Sequence, residues 1–581
     1  MRRRSLVAIA VLMSLFVVLI PATADEGTKF RQPVKSRKGV IATESIPASR
    51  AAIRVLNQGG NAIDAAVTAI FTIGVSRPQS CGIGGGGFLV YRGANGKKAT
   101  LDFRETAPLR TRSTQYASPG IDDTFTGHMT VGVPGVVAGM SKALKRFGTI
   151  SLRRAIQPAE RVAREGFEVP QSFSTDNTSN ASRLRMFEET ASIYLVDGTT
   201  PYPPGATLVQ SDYARSLRRI ANNGARAFYR GRIAELIVED MKNGDDQYPG
   251  DDGLMRMRDL AEYRAKWRKP IVGTYRGHKI VAMPPPTSGG IAIVEMLNIL
   301  EGFDVGSFGH SSADHFHHVA EAEKIAFADR GQYVADPDYE DVPRRQLTSK
   351  AYAAERRQEI DPNVAKSYSP GAREDESAAA ARTGSASVSS DDLNEEASTT
   401  HVSVIDKKGN AVAVTCTIEQ SFGSAVVAPG TGFLLNNELT DFGAPGSANE
   451  PEGGKRPRSS MSPTIVVRRG EPVLVTGGAG GFRIIMGVFH TVLNVIDFGM
   501  NVAHAVDAER MDETSLPNMN IEDVRVSPVD QAALEAKGHV LVREGEYNVR
   551  PRVNVAGAVL HNRKNHAVSD PRTDDAARAQ R

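Results

Sequence analysis

Residues 398–401 read Ser-Thr-Thr-His and stand at the end of a long polar stretch. A threonine hydroxyl is a poor nucleophile unless a base lies within hydrogen-bond reach. A threonine at a free N-terminus carries that base in its own α-amine, whose unperturbed pKa of about 8 suits general-base work near neutrality. Thr399 is therefore a candidate nucleophile on one condition, a cut between Ser398 and Thr399. By itself, a hydroxyl cluster after a polar stretch is more commonly the solvated start of a strand. Other groups have equally plain first readings. Arg104, between Asp102 and Glu105, suggests a surface ion pair, and Glu438 with Asp441 suggests a solvated turn. The run Gly82–Gly87 could cradle phosphate, but it leads into a strand rather than opening a helix, and no Lys-Ser/Thr follows. A tight buried loop that only glycine fits is the better reading. His315, His317 and His318 have spacing that permits a metal site. Lys324, Asp329 and Arg330 crowd the same helix, which favours a structural role.

The elements that must position these groups follow from patterning. Residues 365–398 are rich in Ser, Ala, Asp and Glu and poor in large apolar side chains, so they cannot offset their ordering entropy and read as an exposed linker. A hairpin follows abruptly, with strands 401–405 and 411–418 around the turn Asp406–Asn410, and a second one spans 465–467 and 473–476. Upstream, a strand and two small-residue helices fill 39–74. The first helix ends at Gly59-Gly60, and Asn61 caps the second with Asp64 at N3. Residues 130–350 are mainly helical in pattern. Within them the turn 283–290, Met-Pro-Pro-Pro-Thr-Ser-Gly-Gly, leads into an apolar helix.

The chain has 581 residues, 40% apolar and 24% charged, with a net charge of +3. That is a globular composition without the concentrated basic face of a nucleic-acid binder. Residues 1–24 carry three arginines, an apolar run and Ala-Thr-Ala, the pattern of a cleaved secretory signal. Export to the periplasm or medium is the expectation. The two cysteines, Cys81 and Cys416, read as small buried residues, with a disulfide as the lesser alternative.

The run TTHVSVIDKKGNAVAVT resembles the start of the small subunit of γ-glutamyltransferases, within the N-terminal-nucleophile hydrolases. GGNAIDAAV, GIGGGGF, LDFRETAP, PPPTSGGI, AEAEKIAFADR, LLNNELTDF, KRPRSSMSPT, GGAGGFRI and SDPRTDDAA extend the resemblance over most of the mature chain, in the family's order. It implies an α+β fold, a four-layer αββα sandwich, built from two chains after self-cleavage. These would be a large subunit, 25–398, and a small subunit, 399–581. It implies that Thr399 cuts the bond after Ser398 and then attacks γ-glutamyl amides such as glutathione, passing the acyl group to water, amino acids or peptides without metal or cofactor. Thr417 would help activate Thr399, and the amides of Gly480 and Gly481 would form the oxyanion hole. Arg104, Ser459 and Ser460 would hold the donor's α-carboxylate. Glu438 and Asp441, with Glu419 beside them, would hold its α-ammonium. Three departures stand out. Ala479 replaces a usual proline, Arg458 replaces an apolar residue and adds a cation near the entrance, and the short stretch 442–458 resembles members without a lid loop. The last implies room for larger donors, poly-γ-glutamate among them. The nearest rival is an acylase for glutaryl-type amides, whose donors lack the α-amine. A processing-dead binding homologue would have lost Thr399, Arg104 or the glycine pair.

Overall fold

The computed structural model describes residues 30–114, 125–244, 252–374, 397–514, 517–549, 551–559, 564–574 and 576–580. The signal segment and residues 375–396 of the polar stretch lie outside them. Arg31 onward belongs to one compact unit.

Two seven-stranded antiparallel sheets form its middle. The first runs, edge to edge, Arg578–Ala579, Val40–Ala42, Ala397–Ile405, Ala411–Gln420, Gly86–Arg92, Lys98–Asp102 and Lys266–Arg268. The second runs Val34–Ser36, Lys564–Ser569, Arg552–Val559, Glu471–Ala479, Thr464–Arg468, His278–Ala282 and Ile271–Tyr275. The sheets face each other through the Thr399 strand and Glu471–Ala479. Helices Ile46–Asn57 and Ala62–Ser76 cover the first sheet, and Gly289–Leu300 and Ile484–Ile496 cover the second. The order is helix, sheet, sheet, helix, so the expected αββα sandwich is observed.

Local chemistry explains the covering helices. Asn61 Oδ1 accepts from Asp64 N–H at 3.1 Å and Asp64 Oδ2 accepts from Asn61 N–H at 2.9 Å, the reciprocal cap read from the sequence. Every residue of Ala62–Ser76 is buried. Its apolar, small-residue surface on all sides is what a helix enclosed on all sides requires.

Three expectations change. Cys81 and Cys416 form a disulfide. Strand Gly86–Arg92 lies directly beside the Cys416 strand, with Gly87 opposite Cys416, and the loop before it brings Cys81 alongside. This proximity is a tertiary fact that two isolated cysteines could not reveal. The region 130–350 also supplies strands: Ile271–Tyr275 alternates buried and exposed residues and sits at a sheet edge. The strand expected over 473–476 is longer, running on through Gly477 to Ala479, and Gly477 pairs with Asn554. Among the described residues, no helix is long and apolar enough to cross a membrane.

Candidate active site

Thr399 lies within strand Ala397–Ile405, opposite Thr417 of the next strand, just after a shift in register at Ala397. The hydroxyls of Thr399 and Thr417 are 3.1 Å apart. Thr417 Oγ1 donates to the Ser398 carbonyl at 3.0 Å and accepts from Glu419 N–H at 2.9 Å. Its one proton is thereby committed to Ser398, so the Thr399 hydroxyl is the donor in the Thr399–Thr417 pair. The Thr399 hydroxyl proton thus points at Thr417, while Thr417 polarises the carbonyl of the Ser398–Thr399 peptide. Ser398 Oγ is held by Ser80 Oγ at 2.8 Å.

The glycine run seen before the first-sheet strand serves this pair. A Cβ on Gly85 would overlap the Thr417 carbonyl oxygen, so the loop lies flat against the catalytic strand because it has no side chain there. Gly84 O and Gly132 O accept from Asn436 Nδ2 at 2.7 and 2.8 Å, and Asn436 Oδ1 accepts from Glu438 N–H at 3.0 Å. The loop read as tight and structural therefore also orients an acid of the pocket.

One pocket gathers Thr399, Thr417, Arg104, Glu419, Glu438, Asp441, Ser459, Ser460 and Gly481. Arg104 forms ion pairs with Glu438 and Asp441 rather than only with its sequence neighbours, although Glu105 lies 3.9 Å away. One guanidinium thus serves two carboxylates, Glu438 fully buried and Asp441 partly exposed. Two carboxylate oxygens there, Oε2 of Glu419 and Oε2 of Glu438, are buried without a hydrogen-bond partner. Burial, and next the charge of Asp441, pushes the Glu419 carboxyl well above the usual range. Burial likewise raises Glu105 to about 8.

The serines sit on a braced loop. Ser288 N–H and Oγ both donate to Ser459 O at 2.8 Å, and Thr287 Oγ1 donates to Met461 O at 2.6 Å. The proline-rich turn before the apolar helix Gly289–Leu300 is thus the support of the serine pair. Arg330, which received no role from the sequence, lines the pocket and donates from Nη2 to Ser460 Oγ at 2.9 Å. Its only sequence signal is its place on a helix one face of which turns toward the pocket. Arg458 also lines the pocket, but buried rather than at an open entrance: its Nη1 donates to the carbonyl oxygens of Arg330 and Gly331 at 3.3 and 3.4 Å. Met461, Phe482 and Ile484 add apolar wall that sequence reading did not foresee.

The turn at the end of strand Glu471–Ala479 begins at Gly480, with φ of 132°, followed by Gly481 at 60°. Both values lie where side chains are disfavoured. Gly481 faces the pocket, and Gly480 stands one residue behind it. Among the described residues, the one of the histidines weighed for metal that shares a cluster with other ligand-type groups is His317, with Glu321 and His539, none of which lines this pocket.

Comparison with known proteins agrees with this geometry. A family model described as gamma-glutamyltranspeptidase matches residues 48–580. The glutathione hydrolase proenzyme of Escherichia coli is 42% identical over 87% of this chain and 86% of its own length. The acylase ACY 1 proenzyme of a Pseudomonas species is 38% identical over 90% of this chain and 91% of its own. The crystal structure of a cephalosporin acylase from Bacillus halodurans superposes with a TM-score of 0.85 at 27% identity, over 97% of this chain and 99% of that one. A family match over nearly the whole described chain, with a relative 42% identical over most of both lengths, establishes that the chain belongs to the gamma-glutamyltranspeptidase family.

Proposed function

We propose that this chain is a self-cleaving γ-glutamyltransferase and glutathione hydrolase acting through a threonyl ester. The orphaned oxygens of Glu419 and Glu438 carry the reading. Buried acceptors without partners are costly, and a donor's α-ammonium would satisfy both in the pocket that holds Thr399.

Maturation begins with Thr399 Oγ attacking the Ser398 carbonyl carbon. The hydroxyl proton passes toward Thr417 and ends on the departing nitrogen, leaving an ester. Water then cleaves the ester into a Ser398 carboxylate and a free Thr399 hydroxyl and amine, giving chains that end at 398 and begin at 399. The freed amine serves as base when Thr399 attacks the γ-amide. Arg104, Ser459 and Ser460 hold the donor's α-carboxylate, and Glu419, Glu438 and Asp441 its ammonium. The amides of Gly480 and Gly481 receive the developing oxyanion. The leaving amine departs, and water, an amino acid or a peptide takes the acyl group. The signal-like N-terminus supports export to the periplasm or medium.

The second reading, an acylase for glutaryl-type amides, is supported by the likeness to acylases. The same donors decide between them. Intact-mass analysis of wild type and Thr399→Ala should show two chains split at 398/399 only in wild type. The processed enzyme should prefer a γ-glutamyl anilide over the glutaryl anilide, which lacks only the α-amine, by more than tenfold in kcat/KM. An uncut wild-type chain would sink the threonine mechanism, and a glutaryl preference would make the protein an acylase.

A further inference from the structure

On helix Ala313–Tyr333, His317, Glu321 and Lys324 share one face at i, i+4 and i+7. They meet Glu513 and His539 from the far side of the 398/399 junction. His317 Nε2 lies 2.8 Å from the carbonyl oxygen of Asp361, which only accepts, so Nε2 carries the proton. His539 Nδ1 lies 2.5 Å from Oε2 of Glu513, and with that oxygen as acceptor the proton of the contact sits on Nδ1. The two remaining nitrogens, His317 Nδ1 and His539 Nε2, face each other at 2.9 Å. With both rings neutral, two lone pairs point at one another. That arrangement is relieved by a proton or a metal ion between the rings.

The surroundings favour a metal. One ligand atom each of His317, His539 and the fully buried Glu321 lie within 4.8 Å of one another. Glu321 Oε1 is buried and meets Lys324 as an ion pair. Lys324 Nζ stands 2.6 Å from it and 3.2 Å from Glu513 Oε1, one positive charge against two carboxylates. The net negative charge left in a dry site calls for a further cation. Each histidine already has its far nitrogen on a carbonyl or a carboxylate, the outer shell that orients imidazoles toward a metal.

We propose that His317, His539 and Glu321 hold a zinc ion. Two imidazoles and a carboxylate suit zinc, and Zn–N bonds of about 2.0–2.1 Å set the nitrogens roughly 3.3 Å apart, so the rings need only part by a few tenths of an ångström. The site is buried and remote from Thr399, so its role is structural. It fastens helix Ala313–Tyr333 to the small-subunit side of the junction.

The test uses tag-free processed enzyme, dialysed against zinc and then against metal-free buffer. Elemental analysis should find about one zinc per protein, zinc should raise Tm and a chelator lower it, and cobalt in its place should give tetrahedral d–d absorption. The variant Glu513→Gln, which spares all three ligands, should weaken zinc binding about 10–100-fold. His317→Ala with His539→Ala should abolish it, and the cobalt spectrum of wild type stands even where that variant fails to fold. Absence of bound zinc together with a Tm indifferent to zinc and chelator overturns the proposal and leaves a proton between the rings. Equal zinc binding by Glu513→Gln overturns it as well.

Discussion

The hydroxyl of Thr417 serves three partners at once, donating to the Ser398 carbonyl and accepting from the Thr399 hydroxyl and from Glu419 N–H. During self-cleavage that carbonyl oxygen becomes negative, and losing one donor to such an oxygen costs about 10²–10³ in rate. Thr417→Val keeps the strand's shape and should slow the appearance of the 399 N-terminus by about 100-fold, followed by intact mass. Thr417→Ser should restore most of it. Equal rates for Val and wild type would remove Thr417 from the reaction. Glu438 is the second residue whose role is separable. Hydrogen bonds to charged groups contribute about 1.5–3 kcal/mol, so Glu438→Gln should lower kcat/KM for a γ-glutamyl anilide by about 10–150-fold. The glutaryl anilide presents no ammonium and should be nearly unaffected. Parallel losses on both substrates would mean that Glu438 only shapes the pocket.

At the scale of elements, the Thr399 strand is fixed from behind by His401. Its ring lies between the sheets, where a Cβ on Gly477 would collide with it, and it bonds Thr415 Oγ1 at 2.8 Å and Ser403 Oγ at 3.0 Å. Burial pushes its pKa down to about 3. His490, on the helix covering the second sheet, is likewise lowered to about 3 by burial. In the unfolded chain both titrate near 6.5, so between those values the unfolded state binds more protons than the folded one. Stability is therefore complete above about pH 6.5 and falls as pH drops toward 3, by up to about 1.4 kcal/mol per pH unit for each histidine. Urea unfolding of the uncut Thr399→Ala chain at pH 7 and pH 5 should show this loss, and His401→Gln should reduce the slope. A flat profile would contradict the buried neutral state.

At the scale of the molecule, the first sheet interleaves strands from both sides of the proposed cut. Ala397–Ile405 pairs with Val40–Ala42, and Ala411–Gln420 with Gly86–Arg92. The disulfide between Cys81 and Cys416 also crosses the junction. Cleavage after Ser398 should consequently leave two chains still covalently joined. A denaturing gel should show one band of full mass without reductant and two with it. Separation without reductant would mean the bridge does not form in the isolated protein. The interleaved strands of the first sheet predict that the reduced, cut enzyme nonetheless stays associated under native conditions.

The sequence motifs, through their resemblance to the family, pointed to Thr399, to the junction before it and to a ligand set most of which lines one pocket, because those motifs are short, local and ordered along the chain. Capping at Asn61 and the hairpin after Thr399 were equally legible, since both rest on neighbouring residues and short-range periodicity. What the tertiary structure decided involves partners far apart in sequence. Arg104 turned from its neighbours Asp102 and Glu105 to Glu438 and Asp441, and Arg330 arrived at Ser460 from another layer. Cys81 met Cys416, and His317 met His539. No periodicity encodes such meetings. They arise when two sheets stack and their helices close over them, and burial then sets which charges must pair and which histidines stay neutral.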